Sequence, residues 1–211
     1  MDHALAVVDS APGGFDALTL AAVASRAGVA VPSLYKHVGS LADLRREVSL
    51  VAVRELTAAL RAAMAGPSDE PPVGRLLRAM RHHAHARPGR YGATQVAPDP
   101  QDPDDAELRL AAAETVQVVA DALVASGLGP EGGSVAPDGS GPTQARGLTE
   151  DREVAPDREL VHTVRTVRAA VHGFIALELG GGFGLPVDVD ESFDHLVATL
   201  VAGLRSGQRA T

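Results

Sequence analysis

Residues 18–44 read LTLAAVASRAGVAVPSLYKHVGSLADL, and this stretch decides the fold. Its first part predicts a short helix, because Thr19 is a favoured N-cap residue and apolar residues follow it at helical spacing, with Arg26 turned outward. Gly28 then ends the helix, since glycine readily adopts the left-handed conformation that closes one. We expect Val29, directly after it, to fill the corner before the next helix.

A second short helix opens at Pro32. Proline is well placed in a first helical turn, where its missing N–H would have had no partner. Leu34 and Val38, four residues apart, are expected to face inward. The residues left outside carry hydroxyls, one ammonium and one imidazole: Ser33, Tyr35, Lys36 and His37. Since such groups bond phosphate oxygens and base edges, the pattern predicts a DNA-reading helix-turn-helix.

The same stretch resembles the N-terminal domain of the TetR/AcrR family of one-component transcriptional repressors. The shared pattern is a threonine that opens helix 2, A-G-V at the turn (residues 27–29), and L-Y-x-H followed by an apolar residue (residues 34–38). The spacing onward to Leu44 is also kept. By this resemblance, the DNA-binding residues are Thr19, Pro32, Ser33, Tyr35, Lys36 and His37.

The resemblance also implies a role for each residue of the polar tip. Pro32 and Ser33 would lie near base edges. Tyr35 and His37 would contact phosphates, and Lys36 would contact a base or a phosphate. The residues alone leave an alternative open, in which the tyrosine and the histidine merely cap a small three-helix core.

The charge of the N-terminal region limits the expected attraction to DNA. Residues 1–50 carry four Lys or Arg against five Asp or Glu, a net charge of −1, whereas phosphate attraction favours a positive surface. Members of the resembled family usually have a lysine where Leu41 stands and a small polar residue where Ala30 stands. We therefore expect modest affinity and high salt sensitivity, or binding that depends strongly on dimerisation.

Composition indicates an all-α protein. The chain has 211 residues, of which 45% are hydrophobic and 3% aromatic, and the dominant alanine, leucine, valine and arginine favour helices over sheets. There is no cysteine, which excludes disulfides and thiol chemistry. A net charge of −8 argues against nonspecific coating of nucleic acid. Neither a membrane span nor a secretory signal is apparent, so we expect a cytoplasmic protein with no membrane partner.

Helix signals divide the chain into an N-terminal reader and a larger helical region. We predict a three-helix reader at residues 1–47 and a helical effector-binding and dimerisation domain at residues 48–211. The helices predicted after the helix-turn-helix cover residues 40–64, 73–86, 90–95, 106–126, 157–179 and 190–205. Residues 127–155 are rich in Gly, Pro, Ser and Asp and are predicted to form a mobile loop.

The last two predicted helices are more apolar than a single surface helix needs. The residues concerned are Leu160, Val164, Val167, Val171, Ile175, Phe193, Leu196, Val197, Leu200, Val201 and Leu204. We expect each helix to bury one face on its own domain and another on a symmetry mate, which predicts a homodimer with a four-helix interface. The family resemblance implies the same contact. Two recognition helices about 34 to 36 Å apart would then meet successive major grooves of a palindromic operator.

The C-terminal region resembles the WHG-type regulatory domain of the family. The similar segments are R-P-G-R-Y at residues 87–91 and V-H-G-F at residues 171–174, with valine in place of that domain's tryptophan. The resemblance implies a small-molecule pocket among the helices. Candidate lining residues are Met80, His83, Tyr91, Val119, His172 and Phe174.

The histidines are the remaining candidates for chemistry. His82, His83 and His85 lie on one predicted helix, but a metal site would need a further donor, and no H-E-x-x-H arrangement is present. We interpret this run as a solvated helix face or as one pocket-lining histidine, and we predict no metal and no cofactor. His172 is either a core histidine or a polar anchor in an otherwise apolar cavity.

The favoured function is that of a ligand-responsive repressor. It would bind a palindromic DNA operator as a homodimer and be released by a small, mainly apolar effector. The alternative is a helical small-molecule binding protein whose reader domain has become degenerate and binds DNA weakly. An enzyme is a distant third interpretation, because no nucleophile–base pair, phosphate loop or complete metal set is visible.

Overall fold

The computed structural model describes residues 1–129 and 157–208, and this part of the chain is helical without a strand, which confirms the all-α prediction. Its α-helices, in chain order, are α1 (Asp2–Ser10), α2 (Leu20–Ala27), α3 (Val31–Leu34), α4 (Leu41–Met64), α5 (Pro72–Ala86), α6 (Pro88–Ala93), α7 (Ala106–Ala125), α8 (Arg158–Leu179) and α9 (Val189–Gln208). Short 3₁₀ helices precede α2 and α7, at Gly14–Ala17 and Pro103–Asp105. The loop predicted at residues 127–155 lies outside the described residues except for 127–129.

The described chain divides into two compact units. Unit 1 contains Met1–Ala59 and His82–Thr115, and unit 2 contains Leu60–Arg81 and Val116–Thr211. Helices α4, α5 and α7 each contribute to both units, so the division falls within helices and not at linkers. The predicted reader, residues 1–47, lies wholly within unit 1, and its boundary at residue 47 remains a prediction.

The core of unit 1 joins the reader helices to the first half of α4 and to α6. Its buried side chains are Ala4, Val7, Val8, Leu18, Val23, Leu44, Val48, Ala52 and Ala93. Leu34 and Val38 are partly buried and pack against this cluster, as their spacing predicts. Further along α4, Leu50 and Val53 pack with residues of α7, and the Thr57 and Thr115 hydroxyls share a buried hydrogen bond of 2.6 Å.

The turn between α2 and α3 confirms most of its sequence signals. The Thr19 hydroxyl accepts a hydrogen bond of 3.1 Å from the N–H of Ala22 and caps α2. Gly28 has φ +69° and closes the helix in the left-handed conformation. The prediction that Val29 fills the corner is wrong, because this side chain is 44% exposed. Leu34, five residues further on, is partly buried and packs against the core of unit 1.

Helix α6 packs on α1 at very close range. A Cβ on Gly89 would lie far inside van der Waals contact with the carbonyl group of Val8, so only glycine permits this approach. Arg90 strengthens the contact, since its guanidinium pairs with Asp9 of α1 at 2.7 Å and with Glu55 of α4 at 2.6 Å. Unit 1 therefore holds α1, α4 and α6 together by both packing and charge.

The core of unit 2 is built from α5, α7, α8 and α9. Helix α8 buries one stripe, which consists of Leu160, Val164, Val167, Val171 and Ile175. Arg81 of α5 pairs with Glu178 of α8 at 2.5 and 2.8 Å and with Asp190 of α9 at 2.6 Å. Its guanidinium also lies 4.9 Å from the ring centroid of Phe193, which is fully buried. Among the described residues, no helix is both long and apolar enough to cross a membrane.

Candidate DNA-binding surface and effector domain

The polar tip after α3 is held by its two apolar neighbours. Helix α3 is a single turn, and the N–H groups of His37 and Val38 donate to the carbonyl of Leu34 at 2.8 and 3.0 Å. Leu34 and Val38 pack toward the core on either side of the tip. This winding leaves the residues between them outside, and Tyr35 is 56% exposed.

All six residues predicted to bind DNA are exposed: Thr19, Pro32, Ser33, Tyr35, Lys36 and His37. Such exposure does not fit the alternative in which Tyr35 and His37 cap a three-helix core. The Thr19 hydroxyl uses one lone pair to cap α2, so its O–H remains a donor for a phosphate oxygen. The surface offers hydroxyl, imidazole and ammonium groups, which is the chemistry that phosphate and base-edge contacts require.

A dense charge cluster lies at the start of α4. Arg46 donates to Asp105 at 2.5 Å, to Asp43 at 2.9 Å and to Asp102 at 3.0 Å. The hydrogen bond from Arg46 lowers the pKa of the Asp105 carboxyl. This cluster was not predicted from the sequence, although residues 99–105 contain four aspartates. Their density was the available signal, but the choice of partner was not visible.

The segment before α7 is folded around its own carboxylates. Asp105 accepts a hydrogen bond of 2.6 Å from the N–H of Asp99, in addition to that from Arg46. Arg109 donates to the carbonyl oxygens of Asp99 and Asp102, both at 2.7 Å. These contacts hold the carboxylates of Asp102 and Asp105 where they accept hydrogen bonds from Arg46 of α4.

The six predicted pocket residues divide between the two units. His83 and Tyr91 belong to unit 1, and Met80, Val119, His172 and Phe174 belong to unit 2. Four of them are buried: Met80, His83, Tyr91 and Val119. His172 and Phe174 are intermediate in exposure. Their role in binding an effector remains a prediction.

The histidine run of α5 is not uniform. His82 and His85 are exposed, whereas His83 is only 7% exposed. The Nε2 atom of His83 has no hydrogen-bond partner among the described residues. Burial, together with the nearby charge of Arg87, lowers the pKa of His83. Within residues 1–129 and 157–208, no group of three or more potential metal ligands occurs.

Unit 2 contains an aromatic cluster that includes one predicted residue. The ring centroid of Phe174 lies 4.7 Å from that of Phe183 and 5.2 Å from that of Phe193. On the same helix, burial and the charge of Arg168 lower the pKa of His172 to about 4, so this side chain is neutral near pH 7. Phe183 and Arg81 were not predicted as members of this region, and Phe193 was identified in the sequence only as an apolar residue of the last helix.

An open groove of about 370 Å³ runs between α5 and α9 in unit 2. Its walls carry small and apolar residues with arginines and carboxylates at the rim: Glu70, Pro71, Gly74, Arg78, Asp194, Val197, Ala198, Val201, Ala202 and Arg205. None of the six predicted pocket residues lines this groove.

A helix-turn-helix followed by a helical C-terminal region defines the class of helix-turn-helix transcriptional regulators. The family model described as "Bacterial regulatory proteins, tetR family" matches residues 11–48, and that described as "Tetracyclin repressor-like, C-terminal domain" matches residues 73–200. The chain belongs to the TetR family of transcriptional regulators. Its family and fold are those of regulators and not of enzymes.

Individual relatives agree with this assignment. The chain is 31% identical over 193 residues to the uncharacterized HTH-type transcriptional regulator Rv0681 of Mycobacterium tuberculosis, with 90% of this chain and 74% of that protein covered. The regulatory protein SCO4313, whose crystal structure is known, is 28% identical in sequence to this chain. The two structures match with a TM-score of 0.65 over 95% of this chain and 92% of the SCO4313 chain. The TetR family transcriptional regulator PfmR from Thermus thermophilus shares the fold at 15% identity and a TM-score of 0.57, covering 90% and 91%.

Proposed function

We propose that this regulator represses transcription by binding a palindromic operator as a homodimer, and that a small, mainly apolar effector releases it. The observation that carries the proposal is the exposed tip Tyr35-Lys36-His37, held out by Leu34 and Val38. The tyrosine, lysine and histidine are exposed in consecutive positions and are not members of the buried core of unit 1. They match the donors that phosphates and base edges accept.

Dimerisation is supported by surfaces of the last two helices. The α8 face opposite its buried stripe is exposed and contains small residues, Ala169, Gly173 and Ala176, over which another helix can pack closely. On α9, Leu196, Leu200 and Leu204 are only partly covered within the single chain. A symmetric partner would cover these surfaces and set the spacing between the two recognition helices.

Effector release requires different affinities for two conformations. We propose that the effector binds in the helical C-terminal domain, with Met80 and Val119 as apolar contacts and the neutral imidazole of His172 as a polar anchor. An effector with higher affinity for a conformation in which α4 is shifted would stabilise that conformation, and the recognition helices would then no longer match the spacing of the operator.

Footprinting on the duplex DNA upstream of the gene tests the proposal. A gel-shift titration at low salt should give a saturable complex, and the protected region should be a palindrome with half-sites about one helical turn apart or a multiple of it. Failure to protect any palindrome at low salt would overturn the proposed repressor function.

A second candidate is a helical small-molecule binding protein with a degenerate reader. The engagement of Arg46 by three carboxylates favours it, because a reader whose net charge is already −1 then has one fewer cation available to attract phosphates. A protein of this kind would bind duplex DNA only weakly and protect no palindrome even at low salt, yet would melt at a higher temperature in the presence of an apolar ligand.

A further inference from the structure

The four cationic side chains of the reader differ in whether they are available to contact DNA. Residues 1–50 contain Arg26, Lys36, Arg45 and Arg46 as their only Lys or Arg side chains. Arg46 is 19% exposed and fully engaged, since Asp43, Asp102 and Asp105 each accept a hydrogen bond from it. To reach a phosphate, Arg46 would first have to break these three contacts, so it is not an available anchor.

Arg45 is also directed inward. Its guanidinium carbon lies 5.8 Å from the ring centroid of Phe15, and its Nη2 atom lies 3.5 Å from the carbonyl oxygen of Leu18. Its Nε atom is buried. This side chain is only partly exposed and lies against Phe15 of the 3₁₀ helix.

Arg26 and Lys36 are the two that remain, and both are exposed without an ion pair among the described residues. Arg26 is on α2, the first helix of the helix-turn-helix, and in such motifs this helix crosses the DNA backbone while the second enters the groove. The exposed residues near it on α2 and the turn are uncharged: Ala21, Ser25, Gly28, Val29 and Ala30. A backbone phosphate could therefore approach Arg26 without meeting a carboxylate of these segments.

We propose that Arg26 is a phosphate-binding residue of the reader and that, with Lys36, it takes the place of the missing lysine at Leu41. This inference rests on the proposed operator binding and names a contact which sequence reasoning did not assign. Arg26 would anchor the duplex without reading its sequence, because a phosphate contact carries no base information. It should therefore contribute equally to specific and nonspecific complexes.

The dependence of affinity on salt tests this assignment. Each phosphate contact contributes about −0.9 to the slope of log K against log salt, so four contacts per dimer predict a slope of roughly −4. Arg26→Gln removes two contacts per dimer and should bring the slope to about −2, with the same loss on upstream DNA and on a mixed-sequence duplex. The matched control is Arg54→Gln, since Arg54 is exposed and already paired with Glu107 at 2.5 Å.

Two measurements on the full chain, salt titration and thermal melting, separate the outcomes. Titrations are made between about 50 and 200 mM salt with wild type, Arg26→Gln, Arg54→Gln and Lys36→Gln, and thermal melting of each variant is recorded. A shallower slope for Arg26→Gln, an unchanged slope for Arg54→Gln and unchanged melting support the proposal. If Arg26→Gln keeps the wild-type slope but melts at a lower temperature, Arg26 only stabilises the C-terminus of α2. That result would overturn the proposal.

The control variants also separate this inference from the proposed function. If Lys36→Gln flattens the slope and Arg26→Gln does not, operator binding stands and the assignment of Arg26 is wrong. If wild-type protein binds neither duplex at low salt, the proposed operator binding itself fails, and the Arg26 contact fails with it.

Discussion

At the polar tip, two partly buried apolar residues flank three exposed polar residues. Leu34 and Val38 are four residues apart and both pack toward the core, so the three residues between them project from the surface. This arrangement follows from helical spacing alone and was predicted from it. The chemical roles of Tyr35, Lys36 and His37 remain predictions, because exposure shows availability and not contact.

Tyr35→Phe or Lys36→Ala should each weaken operator binding by about 1 to 3 kcal/mol, because each variant removes a donor from the proposed DNA surface. The affinity is measured by gel-shift titration on the upstream duplex. Arg54→Ala, which alters an exposed cation of unit 1 away from the tip, serves as the control. Unchanged affinity in both tip variants would refute their roles.

His172 should make the stability of the protein sensitive to acid. Burial lowers its pKa from 6.5 to about 4, so below pH 6.5 the unfolded chain takes up a proton that the folded chain does not. The stabilising contribution is complete above about pH 6.5 and is lost as the pH falls toward about 4, with a slope of up to about 1.4 kcal/mol per pH unit.

Urea unfolding of wild type, His172→Gln and His162→Gln across this range measures the effect of His172. We expect His172→Gln to flatten the decline in the free energy of unfolding, and His162→Gln, which alters an exposed histidine on the same helix, to leave it unchanged. Parallel curves for wild type and His172→Gln would contradict the explanation by burial.

Among the helices of unit 1, α6 packs on α1 so closely that a Cβ at Gly89 would clash with the backbone of α1. Gly89 lies against the backbone of Val8, and Arg90 pairs with Asp9 and Glu55 on the two neighbouring helices. The R-P-G-R-Y segment was used as a family signature in the sequence. In the structure its second arginine and its glycine hold α6 to the reader helices.

Gly89→Ala should lower the free energy of unfolding by about 1 to 3 kcal/mol, because the added methyl group must displace the backbone of α1. Gly92→Ala is the matched control on the same helix, since its Cβ would meet only the Cβ of Phe15 at 3.7 Å. This second change should be neutral, or stabilising by up to about 1 kcal/mol. Equal stability of the two variants, measured by urea unfolding, would contradict the close approach.

For the molecule as a whole, the structure changes which surfaces of α8 and α9 are expected to form the dimer contact. Each of the last two helices was predicted to bury one face on its own domain and another on a symmetry mate, and the five apolar residues named on α8 are all buried within unit 2. Partly covered apolar side chains remain on α9, at Leu196, Leu200 and Leu204, and exposed ones lie near the end of α8, at Leu177 and Leu179. We therefore expect α9 and the end of α8 to contribute the apolar contact between subunits.

Leu204→Glu should raise the dissociation constant of the proposed dimer by roughly a hundredfold, about 3 kcal/mol, because the carboxylate would be buried without a partner. Light scattering at several protein concentrations should give twice the chain mass of 21.7 kDa for wild type and a value nearer 21.7 kDa for the variant. Leu110→Glu, which alters a leucine that is 57% exposed in unit 1, should remain dimeric. A wild type of single-chain mass at every concentration would exclude the dimer.

Local signals in the sequence were sufficient for the helices and for the shape of the DNA-binding surface. The N-cap at Thr19, the left-handed Gly28 and the first-turn Pro32 act within a few residues of themselves, so their effects can be read without knowing the fold. The partners of the arginines were not readable in this way. Arg46 lies 59 positions from Asp105, and Arg81 lies 97 positions from Glu178. Helical periodicity shows which side of a helix is apolar, but the packing of distant helices determines which charges meet, and so which cations remain free for DNA.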